Sequence, residues 1–130
     1  MKRNHVIVVL LLIVYSCQQS TNVQNYPNEM SEMALSMRTM VDKLKQAKRD
    51  IEIGAIPNLS IDNFKNGHFT DSTFQKKEFN PMADALLVAA RNFDELPSKV
   101  NYEIVVNTCR SCHEYMCPGP LEMIYTLHLN

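Results

Sequence analysis

The sequence predicts an all-α domain, and three observations carry that expectation. Apolar residues recur at steps of three and four in three separate stretches, the spacing of one helix face. Pro and Gly fall at or between the ends of those stretches, where they punctuate helices. No segment shows the strict apolar–polar alternation of a half-buried strand.

The first stretch holds Met30, Met33, Met37, Met40, Leu44, Ala47 and Ile51, one stripe over about six turns. Asn28 or Ser31 can cap this helix, and Glu29 and Glu32 suit the positive end of its dipole. Lys43, Lys45, Lys48 and Arg49 lie off the stripe, and Gly54 and Pro57 stop it. Residues 55–79 supply Ile56, Leu59, Ile61, Phe64, Phe69, Phe74 and Phe79 without a clean period. Asn66-Gly67 marks a turn there, and a short helix fits around Asp62 to Asn66 or from about Asp71. The next helix opens on the cap and first-turn pair Asn80-Pro81 and runs to about Leu96, with Met82, Leu86, Ala89, Ala90 and Phe93 on one face. Pro97 breaks it. Ser98 caps the last long helix, from Lys99 to about Met116, which Cys117-Pro118-Gly119-Pro120 ends. The tail Leu121 to Asn130 is apolar enough to fold back onto the rest.

With 130 residues the chain fits one domain. Its 45% hydrophobic content excludes a mostly disordered polymer, and a net charge of −1 gives no support to nucleic-acid binding. No nucleophile–base pair, paired-carboxylate motif or phosphate loop points to an enzyme.

The start is expected to be a targeting segment. Lys2 and Arg3 precede Val6 to Val14, an apolar run of nine residues, long enough for a signal peptide and too short to span a bilayer. Val14-Tyr15-Ser16-Cys17 resembles the lipobox of bacterial lipoproteins, which implies cleavage before Cys17 and lipidation of its thiol. Tyr15 is bulkier than that pattern usually carries. Several acyl chains would anchor the chain firmly, at about 0.8 kcal/mol per buried methylene. Residues 1–17 are thus read as signal, polar residues 18–28 as a tether, and residues 29–130 as the folded domain. Losing Lys2 and Arg3 leaves 11 basic against 14 acidic residues, so the mature chain is acidic.

One motif carries chemistry. Cys109-Arg110-Ser111-Cys112-His113 is C-x-x-C-H, which reads as a covalent attachment site for one haem c. Cysteines three apart share a helix face, so both thiols can reach the two vinyl groups, and His113 can present its imidazole to the iron. Three other readings stay open. Cys109, Cys112, His113 and Cys117 could form a Cys₃His zinc site. A thioredoxin-like redox pair would need a βαβ setting, of which the sequence shows none. Cys109 and Cys112 could also form a plain disulfide. Cys117 is otherwise a small or free thiol at a helix end.

A C-x-x-C-H near the end of the last long helix of an all-helical chain resembles the cytochrome c′ family and its soluble b-type relative. The resemblance implies an antiparallel four-helix bundle, here with a short or irregular second helix. It covers residues 29 to 53 and 80 to 116, is poor across 55 to 79, and departs again in the tail after Cys117. In those proteins a first-helix residue covers the far side of the haem. Met37-Arg38-Thr39-Met40-Val41-Asp42-Lys43-Leu44-Lys45 is similar to the b-type relative's ligand helix, which implies Met37 as the sixth iron ligand. Met33 and Met40, one turn away, are alternatives, as are His68 and His128. A Met stripe is also what an ordinary core uses as gap-filler.

The expected function is electron transfer by a membrane-tethered monohaem cytochrome of the bacterial envelope. Its partners would be envelope redox proteins, the membrane would hold it through the lipid, and a homodimer is possible. Gln18 after Cys17 mildly favours the outer membrane over the inner. The alternatives are a five-coordinate haem protein binding nitric oxide or carbon monoxide, and a zinc- or disulfide-stapled lipoprotein.

Overall fold

The computed structural model describes residues 29–130, which form an all-helical domain; the expected signal segment, Cys17 and the tether lie outside them. Its helices are α1 (Glu32–Glu52), α2 (Phe79–Glu95), α3 (Lys99–Met116) and the five-residue α4 (Leu121–Tyr125), and no strand occurs among the described residues. This is compatible with a helical bundle.

Local chemistry sets most boundaries. Ser31 is extended and its hydroxyl accepts from the Ala34 amide at 3.1 Å, so Ser31 rather than Asn28 caps α1. The C-terminal end closes on Gly54, whose φ of +74° costs a glycine nothing. The amides of Gly54 and Ala55 bond back to the carbonyls of Ile51 and Asp50, which satisfies two carbonyls the helix end leaves open. Ser98 caps α3 in the same way through the Asn101 amide. Cys117 ends α3 because Pro118 follows it and forces the preceding residue to extended backbone.

Two expectations need correction. Asn80 does not cap α2: the helix begins two residues earlier than that cap would set, at Phe79, and Glu78 precedes it with no side-chain cap bond. Ring contacts of Phe79 with Phe64 and Phe69, the latter at 4.9 Å between centroids, draw that residue into the core and start the helix early. Between α1 and α2 there is no α-helix. Of the two short helices expected there, residues 62–66 make only a turn, whereas the one from about Asp71 is present as a single 3-10 turn at Ser72–Phe74 capped by Asp71. The aromatic spacing in this segment suits an extended chain pinned at intervals, not a helical stripe.

That segment is nonetheless tied down along its length. The carboxylate of Asp94, near the end of α2, accepts the amides of Leu59 and Ser60. Further on, the His68 carbonyl accepts the Met33 amide at the start of α1. Lys76 donates to the Tyr115 carbonyl near the end of α3 and lies over the Tyr115 ring. Leu59, Phe64 and Phe79 are buried with the helix faces.

The core runs through Leu44, Ala47, Phe93, Tyr102, Val105, Val106 and Leu127, all nearly inaccessible. Helices α2 and α3 pack on each other across the three-residue link 96–98, with Phe93 and Tyr102 in edge contact at 6.1 Å. The tail does fold back: Ile124 and Leu127 are buried, and Lys48 donates to the carbonyls of Thr126 and His128.

Candidate haem-attachment site

The motif continues the inward face of α3. Tyr102, Val105 and Val106 are fully buried, and Cys109, Cys112, His113 and Met116 follow them at the same three- and four-residue steps. Cys109 and Cys112 therefore pack against the core while remaining partly open, and both are free thiols, as is Cys117. Burial pushes the Cys109 thiol up to about 12, with Cys112 adding to the rise. Burial, then the neighbouring Cys117, raises Cys112 as well. Both are thus neutral thiols at pH 7 in largely apolar surroundings.

His113 has a defined tautomer. Its Nδ1 lies 3.1 Å from the Cys117 carbonyl, which can only accept, so Nδ1 carries the proton. Burial lowers the His113 pKa, so the imidazole is neutral, and Nε2 is left with a free lone pair. The extended backbone at Cys117 produces this contact: the residue that ends the helix before Pro118 supplies the carbonyl that holds the ring. The Cys117 sulfur is 3.4 Å from the same nitrogen. An imidazole held through one nitrogen and open at the other is what a metal-binding His needs.

Inside the motif, Arg110 Nε is buried without a hydrogen-bond partner, although one guanidinium nitrogen is 3.9 Å from Glu114. A buried N–H left in this way costs roughly 1–3 kcal/mol. The donor set fits the expected group in three respects: two free thiols on one face, a neutral imidazole open at Nε2, and a buried guanidinium N–H that has no partner of its own. The Cys₃His alternative is not assembled, since no group of three or more His, Cys, Asp or Glu side chains among the described residues is arranged to hold a metal ion.

On α1, Met33 and Met40 are buried in the core, whereas Met37 is half-buried against it. A crevice of about 200 Å³ opens beside Met40, lined mainly by Leu35, Thr39, Lys43, Ile61 and Phe64, and it contains none of the motif residues. Neither alternative histidine is in the core. His68 is exposed, with Nδ1 2.8 Å from the Glu32 carboxylate. His128 meets the Glu103 carboxylate at 2.6 Å.

Comparison with protein-family models, with curated proteins and with solved structures gave no match. The function therefore rests on the site itself. Among the described residues no helix is long and apolar enough to cross a membrane.

Sequence reasoning did not find the clasp at the other end of α3. The Glu103 carboxylate accepts from His128 Nδ1 and from the Leu129 amide, both at 2.6 Å. Burial works to raise Glu103, but the Leu129 amide, His128 and Lys48 together outweigh it and hold the carboxyl below its usual range. A carboxyl depressed in the folded state stabilises the fold above its unfolded pKa, and that contribution is lost as pH falls through the lower folded value. Acid is therefore expected to loosen the tail first, read as lower amide protection factors at residues 124–129 relative to the rest of the domain below pH 4 or so. Glu103→Gln should reproduce the loosening at neutral pH, at a cost of about 1–2 kcal/mol.

Proposed function

We propose that this chain is a tethered monohaem c-type cytochrome that carries electrons, with haem linked through Cys109 and Cys112 and His113 as the iron's protein ligand. The observation that carries the reading is His113: it ends a C-x-x-C-H on the inward face of α3, and its Nδ1 is committed to the Cys117 carbonyl. A haem there would supply one-electron exchange at its iron. The chain's own part is to fix the imidazole's tautomer, to exclude water with Val105, Val106 and Met116, and to hold the attachment thiols on one face.

The finer fold reading is an antiparallel four-helix bundle whose second leg is unwound. In support, the segment after α1 meets the end of α2 at Leu59 and Ser60, then the start of α1 at His68, then the end of α3 at Lys76. That order describes a leg running back along the bundle in extended form. A register count then bears on the sixth ligand. Tyr102 donates to the Leu44 carbonyl, which puts those residues at one level. With α1 and α3 opposed, Met37 and Cys109 each lie seven residues from that level, about 10.5 Å along the axis. Met33 and His113 each lie eleven away. The count favours Met37 or Met33 over Met40, and Met37 is the one only half-buried.

Haem staining of the denatured protein, matured with cytochrome c machinery, tests the main reading; absence of stain sinks it. The ligand is read from the ferric spectrum. We expect a weak far-red band from Met-sulfur ligation, lost in Met37→Leu and kept in Met33→Leu. High-spin ferric features and ready carbon monoxide binding in the unaltered protein would instead establish the gas-binding alternative. The envelope location and the lipid on Cys17 belong to the same proposal, and mass measurement of the mature N-terminus tests them.

A further inference from the structure

The segment between α1 and α2 is not held evenly along its length. Phe69 and Phe79 meet edge-on at 4.9 Å, and Phe79 also meets the buried Phe64. Both ends of residues 70–77 are therefore fixed at one place in the core, and the chain between them is an Ω-loop. Every residue from Thr70 to Lys77 is exposed. The backbone bonds of this loop stay within it, from Phe74 to Asp71, from Gln75 to Ser72 and from Lys76 to Phe74.

Among the described residues, two side-chain hydrogen bonds join the loop to other parts of the domain. Beside its first hinge the Ser31 and Thr70 hydroxyls bond each other at 2.8 Å. At its far side Lys76 Nζ donates to the Tyr115 carbonyl at 2.8 Å and stands 4.8 Å over the Tyr115 ring. A loop with closed hinges, no buried side chain and one distal link can open as a unit at low cost.

That link lands on the motif end of α3. Tyr115 lies two residues beyond His113 and two before Cys117, in the last turn, where helix carbonyls lack partners. Burial raises the Cys117 thiol's pKa, and the nearby Lys76 charge works against that rise. The Cys117 sulfur in turn lies 3.4 Å from His113 Nδ1.

We propose that residues 70–77 are a hinged flap over the end of α3, latched by Lys76 on Tyr115, whose opening governs access to the Cys117 and Cys112 thiols. Its use in haem loading rests on the function proposed above: the flap opens to admit the group and closes behind it.

Alkylation of the haem-free full chain with iodoacetamide, resolved by peptide mass spectrometry, tests this. Lys76→Met keeps a long side chain and removes the ammonium. Cys117 should then react about five- to tenfold faster, the scale of one lost charge-assisted bond, and Cys112 should follow. Cys109, the most deeply buried of the three, should keep its rate. Lys76→Arg restores a cationic donor and should restore the slow reaction. Lys76 is exposed, so the urea midpoint should not move. The sign of the effect discriminates. Without flap opening, loss of the ammonium only makes the Cys117 thiol harder to ionise, which slows its reaction. A slower or unchanged Cys117 in Lys76→Met overturns the proposal, as does an equal acceleration at all three thiols with a lowered urea midpoint. Haem attachment should quicken likewise in Lys76→Met, and an unchanged rate overturns the loading role. If no form of the chain takes haem, the haem reading fails while the alkylation result stands, so the two are told apart.

Discussion

Replacing both Cys109 and Cys112 with Ser is expected to leave a denatured protein with no haem stain, while each single replacement retains one linkage and a weaker stain. The two thiols lie three residues apart on the inward face of α3 and are free, which is why both are assigned to attachment. His113→Ala makes a different prediction. Both thiols remain, so stain persists, but the iron loses its imidazole and the spectrum changes with it. Stain that survives the double Ser variant would mean that haem is held elsewhere or adventitiously. No stain in any form, the unaltered chain included, would leave Cys109, Cys112 and Cys117 as ordinary thiols beside a histidine.

The largest expected loss of stability comes from Tyr102. Its side chain is fully buried, its ring meets Phe93 edge-on, and its hydroxyl donates to the carbonyls of Leu44 at 3.2 Å and Leu127 at 2.9 Å. One side chain thus joins α1, α3 and the tail. Burial raises the phenol's pKa well above its ordinary value, with Glu103 adding to the effect, so it remains a neutral donor. Tyr102→Ala should cost about 3–5 kcal/mol through the cavity it leaves. A domain of this size commands only about 5–15 kcal/mol in total, so that variant should be close to unfolding at 37 °C. Tyr102→Phe keeps the ring and removes the donor, and should cost about 1–2 kcal/mol. Urea melts read both values. A Phe variant as damaged as the Ala variant would show that the hydroxyl, not the ring, holds the three elements together.

The parts of this protein that were legible in its sequence are those governed by short-range rules. Ser31 and Ser98 cap their helices because a hydroxyl reaches amides three residues on. Gly54 ends α1 because only glycine takes its φ without strain. The α3 bounds follow from Ser98 at one end and Pro118 at the other. The C-x-x-C-H spacing places two thiols on one face whatever surrounds them. The boundary missed, at Phe79, depends on ring contacts with Phe64 and Phe69, partners ten and more residues distant.

What the sequence alone determined was the helical class, the three long helices and the spacing of the two thiols and the imidazole, because period, caps and spacing are properties of neighbouring residues. What only the tertiary structure decided was the environment of that motif and the company of each polar group. The proton on His113 Nδ1 follows from where the Cys117 carbonyl turns after the helix breaks. The burial that raises Cys109 follows from what packs over α3. The clasp of Glu103 on the tail and the bond from Tyr102 to Leu44 join residues 25 and 58 positions apart. No local pattern encodes such pairs, since they form only when burial has already brought the segments together and left each donor needing an acceptor.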